Sequence, residues 1–366
     1  MIFSPIEFRN GKKSGNRLAV APMTTQQSQA DGTISQEETD WLTRLSKDGY
    51  GIVISCAASI SDTATAFYNQ LSLAHPEYLP GLKRLAADMK LNGSLNIIQL
   101  CHAGSRALEA LTGEKPHSAS SYQLPMIPDF VPPLALSRQQ IKQIANDFAQ
   151  ACIRVEEAGF DGVELHAANG YLFTQFISSM TNLRSDEYGG DLENRARFAR
   201  EVVSACRSVV SNYFIIGFRL SFESAGLETG LDIDENIQIT NWLAEDGIDY
   251  MHTSQLDYAT RSVKYPEKIT ISYLQDRIDS RLPLLAAGGI NSRHAAQNAM
   301  DLGADVVAIG RAAIGNKNVP TYFKNHLPLP HHPPFTASHL RNTGISEAFI
   351  NYIQNAPPLR SLNIVA

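Results

Sequence analysis

VEEAGFDGVELH, residues 155–166, contains the end of a predicted helix and the start of a predicted buried strand, separated by Gly159. Glycine is favoured after a helix C-terminus because it adopts left-handed backbone at little cost, and the mostly apolar run that follows is typical of a strand covered on both faces. The same order of elements recurs as RLSKDGYGIVISC (44–56), LAEDGIDYMHTS (243–254) and MDLGADVVAIGR (300–311). These repeats predict the helix-to-strand units of a parallel sheet.

Further strands and helices are predicted between these repeats. The additional strands cover 16–22, 95–101, 212–221 and 281–289, and helical periodicity covers about 36–48, 79–91, 137–158, 191–210, 234–246, 267–280 and 291–302. Eight strands that alternate with helices indicate an α/β fold, a closed (β/α)8 TIM barrel over about residues 16–316, rather than an open sheet.

Three segments lie outside the repeating pattern. EFRNGKKSGNRLAV (7–20) is typical of a β-hairpin and is expected to cap the barrel floor. The Pro-rich run 114–133 follows the third strand, so barrel geometry places it over the mouth as a lid or pocket wall. A C-terminal extension, about residues 317–366, contains LPLPHHPPF (327–335) and a predicted helix at about 338–355. We expect residues 1–366 to form one domain.

Composition excludes several classes of partner. The chain has 366 residues and a net charge of -6, so it offers no basic field to nucleic acid or to an anionic membrane. Its N-terminus lacks the order of a secretion signal and no window reaches about 18 apolar residues, which predicts a cytoplasmic protein. The sequence leaves a homo-oligomer open.

The four cysteines show no pattern of a metal or disulfide site. They stand at 56, 101, 152 and 206, far apart and without a Cys-x-x-Cys pair. Buried free thiols are the expected state, and no metal site or iron-sulfur cluster is predicted.

Polar residues at the predicted strand ends are candidates for chemistry, because barrel enzymes build their active sites there. They are Thr24, Gln99, His166, Asn169, Tyr171 and Arg219. Arg219 lies within an apolar strand, where a cation needs an anionic or electron-rich partner. A salt bridge to a neighbouring carboxylate is the structural alternative.

The loops after the last two strands are typical of a phosphate site. LLAAGGINS ends in Gly288 and Gly289 before a helix opened by Asn291 or Ser292, and VVAIGRAAI places Gly310 and Arg311 before another helix. Glycine lets backbone N–H groups approach an anion at a helix N-terminus, and these two loops form the usual barrel phosphate site. A phosphorylated ligand is expected.

Several motifs, in order from about Phe3 to about Asn316, resemble the old yellow enzyme family of FMN-dependent ene-reductases. They are APMTT (21–25), IIQLCHAG (97–104), the block 159–203 that ends in RARFAREVV, FRLS (218–221), AAGGI (286–290) and GADVVAIGRA (303–312). The resemblance implies non-covalent FMN, with NADPH or NADH as reductant.

The resemblance also implies roles for single residues. Thr24 would bond the flavin C4 carbonyl, Arg219 would lie near N1, and Ala57 and Gln99 would contact the pyrimidine edge. The ring would pack on Ala21, Pro22 and Met23, and the phosphate would be held by Gly288, Gly289, Gly310 and Arg311.

His166, Asn169 and Tyr171 would then act on the substrate. His166 and Asn169 can direct N–H donors at one oxygen and stabilise the charge that develops when hydride adds to a conjugated alkene. Tyr171 can deliver a proton to the other alkene carbon. Enones, enals, maleimides and nitroalkenes, all small electrophilic alkenes, are the implied substrates. The sequence contains no Gly-x-Gly-x-x-Gly fingerprint that would predict a separate nicotinamide domain. We therefore expect the reductant and the alkene to share one pocket, with ping-pong kinetics.

Alternatives accompany each of these interpretations. Singly, a strand-end His, an Asn-Gly turn and a Tyr in GYLF all fit structural roles. The physiological acceptor of a flavin barrel could instead be a nitro compound or a quinone, and a non-catalytic FMN sensor is a further class. The conspicuous RSDEYGG (184–190) is expected to brace a loop. TTQQSQADGTIS (24–35) lacks the Tyr that part of the bacterial branch supplies to the pocket.

Overall fold

The computed structural model describes residues 1–124, 130–224 and 228–355. The strands are β1 (Ile6–Glu7), β2 (Lys13–Ser14), β3 (Leu18–Val20), β4 (Ile52–Ser59), β5 (Leu95–Cys101), β6 (His117–Ser118), β7 (Leu134–Ala135), β8 (Gly162–Ala167), β9 (Ile215–Leu220), β10 (Tyr250–Thr253), β11 (Leu284–Ala287) and β12 (Val306–Ile309). Strands β3, β4, β5, β8, β9, β10, β11 and β12 pair in that order and close into a parallel barrel. The predicted (β/α)8 TIM barrel is confirmed.

Helices surround this barrel and extend beyond it. They are α1 (Gln36–Lys47), α2 (Leu79–Lys90), α3 (Glu109–Thr112), α4 (Arg138–Ala158), α5 (Leu172–Ile177), α6 (Leu192–Val209), α7 (Ile233–Asp246), α8 (Thr270–Gln275), α9 (Arg293–Asp301), α10 (Arg311–Gly315), α11 (Val319–Lys324), α12 (Ala337–Asn342) and α13 (Glu347–Asn355). Gly159 and Gly247 end α4 and α7 in left-handed backbone, with φ of 96° and 110°, as the repeats predict.

The strand register fixes which side chains share a level inside the barrel. Glu164 on β8 lies opposite Gly217 on β9, and His166 lies opposite Arg219. Tyr250 on β10 also pairs with Gly217. A Cβ at Gly217 would lie 2.0 Å from the Tyr250 ring, so only glycine leaves space for this ring. Glycine at 217 therefore allows a tyrosine to fill the barrel beneath the mouth.

The N-terminal hairpin closes the barrel floor, as predicted. Strands β1 and β2 pair antiparallel, with Ile6 opposite Ser14. Ile6 and Phe8 are buried in one cluster with barrel-interior residues, and the Phe8 and Tyr250 rings lie 5.9 Å apart between centroids. The hairpin excludes water from the end of the barrel opposite the site.

The prediction of a single helix at 338–355 is wrong. This part of the extension forms two helices, α12 and α13, separated at Gly344, whose φ of 86° breaks the helical path, and α11 lies before them. Phe349 on α13 is buried against Trp41 on α1, with ring centroids 5.4 Å apart. The extension thus packs on the barrel next to the loop that follows β3.

The lid segment is described in part. Strand β6 pairs in parallel with β7, and the rings of Tyr122 and Phe130 lie 5.6 Å apart. Residues 125–129 of the predicted lid and 356–366 of the predicted extension lie outside the described residues.

The structure also shows the contacts of the RSDEYGG loop and the state of the four cysteines. Arg184 in the RSDEYGG loop donates to Asp186 at 2.6 Å, which is the predicted brace. All four cysteines are buried and free. Within the described ranges, no helix is both long and apolar enough to cross a bilayer, and no cluster of three or more potential metal ligands forms.

Candidate active site

A buried carboxylate lies at the centre of the barrel, below its mouth. Glu164 accepts hydrogen bonds from Nε2 of Gln99 (2.8 Å), Nδ1 of His252 (2.8 Å) and the Tyr250 hydroxyl (3.0 Å). Burial alone would raise the pKa of Glu164, but the charge and hydrogen bond of His252, with Arg219 and Gln99, hold it below its ordinary value. Glu164 is therefore an anion that orients three neighbours.

Arg219 lies one strand away, at the level of His166 and His252. Burial lowers its pKa while Glu164 opposes the change, and a guanidinium remains protonated under both influences. Its Nε is buried and has no hydrogen-bond partner within the described ranges. Among the residues that the structure describes, Arg219 forms no ion pair within 4 Å, so the salt-bridge alternative is not realised. An unpartnered buried donor fits a polar ligand held above it.

The turn after β8 brings the three candidate catalytic residues together. Asn169 adopts left-handed backbone (φ 60°), and its N–H donates to the Ser221 hydroxyl at 3.2 Å. This turn carries Tyr171 back over His166, so that their rings are 4.9 Å apart at 63°. Asn tolerates this conformation better than most residues. The left-handed turn explains how residues five apart in sequence share one site.

His166 is buried and neutral. Its Nδ1 has no partner among the described residues, and burial, with Arg219 next in effect, holds the pKa of His166 well below its ordinary value. Burial likewise raises the pKa of Tyr171, although the nearby Arg106 guanidinium opposes this. At neutral pH the site presents an uncharged imidazole and a protonated phenol.

A cleft of about 330 Å³ extends from Arg219 towards the loops after β11 and β12. Predicted cofactor residues that line it are Ala21, Pro22, Met23, Arg219, Gly288, Gly289, Gly310 and Arg311. A Cβ at Gly310 would lie 3.5 Å from the Met23 sulfur, and Gly288 has a φ of 123°, where a side chain is strained. Glycine backbone along one wall, with the buried Nε of Arg219, fits a flavin nucleotide.

The remaining predicted cofactor residues flank this cleft. Gln99 lies in the layer of Glu164, and Ala57 is its register partner on β4. Thr24 lies in the loop four residues after β3, and the Tyr352 hydroxyl of α13 lies beside it. The structure thus brings the predicted residues to one end of the barrel.

Several site residues were not predicted. The inward orientation of Glu164, Tyr250 and His252 could have been predicted. Each lies two residues from another inward-facing side chain on its strand, and residues two apart in a strand share a face. Arg106 stands five residues after β5 and two residues beyond the IIQLCHAG motif, which ends at Gly104. Tyr352 and the cleft-lining His331 and His332 carried no signal, because their positions depend on how the extension docks.

A closed α/β barrel that joins a glycine-lined cleft to a buried arginine and to a neutral His–Tyr pair defines a flavin-dependent oxidoreductase. A sequence model of the NADH:flavin oxidoreductase / NADH oxidase family matches residues 1–330. The chain belongs to this family, which includes the old yellow enzymes.

Two relatives are similar to this chain over most of its length. The chain is 33% identical over 324 residues to the probable NADH-dependent flavin oxidoreductase YqiG of Bacillus subtilis (strain 168), covering 87% of this chain and 86% of the relative. It is also 33% identical over 315 residues to NADH:acrylate oxidoreductase of Vibrio harveyi, covering 84% of this chain but only 31% of that longer protein.

Solved structures show the same architecture. The old yellow enzyme homologue from Zymomonas mobilis superposes with a TM-score of 0.81 at 25% identity, covering 95% of this chain and 99% of that one. Morphinone reductase in complex with tetrahydroNAD gives 0.79 at 27% identity, covering 95% and 96%. The chain is an NAD(P)H-dependent flavin oxidoreductase, and its cofactor is FMN.

Proposed function

We propose that this enzyme takes hydride from NADH or NADPH and reduces the activated C=C bond of α,β-unsaturated carbonyl or nitro compounds. The observation that supports it most is the neutral, unpartnered His166 beside Tyr171, next to the cleft that ends at Arg219. An imidazole with an open ring nitrogen and a buried phenol are the donors that such a reduction requires.

His166 and Asn169 bind the carbonyl or nitro oxygen through N–H donors. Negative charge grows on this oxygen during the reaction, and buried donors stabilise it more strongly than water does. Tyr171 donates the proton, since its raised pKa keeps the phenol protonated until the substrate carbon becomes basic. FMN, held in the cleft, would supply the hydride-transfer chemistry that links the reductant to the alkene.

The residues of the cleft hold FMN non-covalently. Thr24, Gln99 and Arg219 are the polar contacts of the ring, while Ala21, Pro22, Met23 and Ala57 pack against it. The phosphate is held by Gly288, Gly289, Gly310 and Arg311. A core cluster that joins barrel residues to Phe349 and Ile353 of α13 supports the further proposal that residues 1–366 form a single domain.

The test separates the two half-reactions. The purified yellow protein is reduced anaerobically with NADPH or NADH, then mixed with 2-cyclohexenone while the flavin absorbance is followed. Bleaching followed by recovery is expected. Bleaching without recovery assigns the acceptor to another class, such as a quinone, and a colourless protein that takes up no FMN contradicts the proposed cleft.

Steady-state kinetics test the shared pocket. Because reductant and alkene use the same space above the flavin in turn, double-reciprocal plots should give parallel lines. Intersecting lines require a ternary complex and contradict the proposal.

A further inference from the structure

A second cavity lies beside Tyr171, on the side of the lid. It has a volume of about 60 Å³, and its lining includes Ser105, Arg106, Tyr122, Phe130 and Glu228. The Ser105 and Tyr122 hydroxyls are hydrogen-bonded at 2.7 Å, and the Tyr122 and Phe130 rings contact each other. Its lining also includes Gly170, the residue before the proposed proton donor.

Arg106 stands between this cavity and the site. Its guanidinium carbon lies 4.6 Å from the centroid of the Tyr171 ring, and its Nη1 donates to the carbonyl oxygen of Asn169. The side chain is exposed. Neither Nε nor Nη2 donates a hydrogen bond to any residue that the structure describes, and Arg106 forms no ion pair within the same ranges.

The two open donors have a specific geometry. Nε–H and Nη2–H lie on one edge of the guanidinium and point in the same direction, with the spacing that matches the two oxygens of one carboxylate. Nη1, on the other edge, is already used to hold the turn that carries Asn169. Arg106 is thus fixed in place by one edge and open at the other.

Arg106 has no ion-pair partner among the described residues that line the cavity. Glu228, the carboxyl group of the lining, accepts the Gly170 N–H at 3.0 Å and is not paired with Arg106. Burial raises the pKa of Glu228 to about 7, while its hydrogen bonds and the charge of Arg106 oppose this shift. The Nε and Nη2 donors of Arg106 are therefore not taken up by the carboxyl group beside them.

We propose that the electrophilic alkene carries a carboxylate group and that Arg106 binds this group through Nε and Nη2. The proposal rests on the function proposed above. With the reacting alkene beside His166 and Tyr171, the carboxylate extends past the Tyr171 ring to Arg106 at the rim of the cavity. Substrates of this class are small unsaturated oxo acids.

The test uses a matched pair of substrates, 4-oxopent-2-enoate and its methyl ester, with the holoenzyme. Reduction of each gives kcat/KM. Perturbation of the flavin absorbance by the saturated products, 4-oxopentanoate and its methyl ester, gives Kd without turnover. Wild type is expected to favour the acid over the ester in both measurements.

Arg106→Met should reduce this preference by about 10- to 100-fold, since hydrogen bonds between charged groups typically contribute about 1.5–3 kcal/mol. Arg106→Lys should retain part of it. Reduction of both substrates is expected to slow, because Arg106 also holds Asn169. The ratio of kcat/KM for the acid to kcat/KM for the ester is therefore the decisive quantity. Arg281→Met, at an exposed arginine before β11, is the matched control and should leave the ratio unchanged.

Equal use of acid and ester by wild type overturns the assignment of Arg106 while leaving the proposed function intact. A change confined to the KM of NADH or NADPH shows that Arg106 binds the reductant, and also overturns it. If neither substrate is reduced, the proposed function fails, and the two Kd values still decide whether Arg106 binds a carboxylate.

Discussion

Nε2 of Gln99 on β5 donates a 2.8 Å hydrogen bond to Oε1 of Glu164 on β8, the strand beside it. The same carboxylate lies close enough to Arg219 to oppose the loss of its charge through burial. Gln99 and Arg219, both expected to contact the flavin, are therefore oriented from beneath by one buried anion. Substitution of Glu164 should therefore affect cofactor binding even though Glu164 itself does not contact the cofactor.

Glu164→Gln removes the negative charge and keeps the shape. It weakens three buried hydrogen bonds to a charged acceptor and removes the charge that favours the Arg219 cation, so the free energy of unfolding should fall by about 1.5–3 kcal/mol, the usual contribution of a hydrogen bond to a charged group. Urea unfolding at fixed FMN concentration measures this. The exposed Glu157→Gln on α4 is the control, and equal stability of the two variants would show that Glu164 carries no such role.

His166→Ala and Asn169→Ala each remove one donor to the substrate oxygen. Each should slow reoxidation of the reduced flavin by an alkene roughly 10²- to 10³-fold, while reduction by NAD(P)H and flavin content persist. Anaerobic stopped-flow absorbance separates the steps. Unchanged alkene reduction in both variants would remove these residues from the mechanism.

Tyr171→Phe retains the ring that contacts Arg106 and His166 but removes the proton. Alkene-dependent reoxidation should slow by about 10²- to 10⁴-fold, as expected for loss of a general acid. Reduction by NAD(P)H should be little affected. Tyr213→Phe, at an exposed tyrosine, is the control. A rate equal to that of this control would mean that the proton comes from elsewhere.

Stability should depend on pH through Glu38, which is buried at the start of α1 and accepts from the Ser28 hydroxyl. Burial raises its pKa from 4.5 to about 7. Between these values the folded chain holds a proton that the unfolded chain releases, so this contribution to stability is complete below pH 4.5 and is lost as pH rises to about 7.

Glu38→Gln should therefore be more stable than wild type at pH 8, by about 3 kcal/mol, with the difference vanishing near pH 4.5. Denaturant unfolding at several pH values checks this. The exposed neighbour Glu37→Gln should follow the wild-type profile. A difference that does not vary with pH would indicate a packing effect instead.

The sequence predicted those parts of the fold that depend on local chemistry. Gly159 and Gly247 end their helices where the repeats place them, and Gly288, Gly289 and Gly310 line one cleft because consecutive loops of a barrel are neighbours in space.

Contacts that depend on register or docking could not be predicted. His252 bonds Glu164 from 88 residues away, which requires the closed barrel and its strand register. Tyr352 reaches Thr24 only because α13 docks on α1, and the composition of that helix does not specify a partner. The prediction of one helix over 338–355 did not take Gly344 into account. The left-handed backbone of this glycine separates α12 from α13.

The central claim is that hydride passes from the reductant through FMN to an alkene carbon at the mouth of the barrel. The most direct measurement supplies NADH deuterated at both C4 positions with 2-cyclohexenone and locates deuterium in the product by NMR. We expect one deuterium on the product carbon β to the carbonyl and a solvent-derived hydrogen on the α carbon. A product without deuterium, or no product while the flavin is fully reduced, would contradict it.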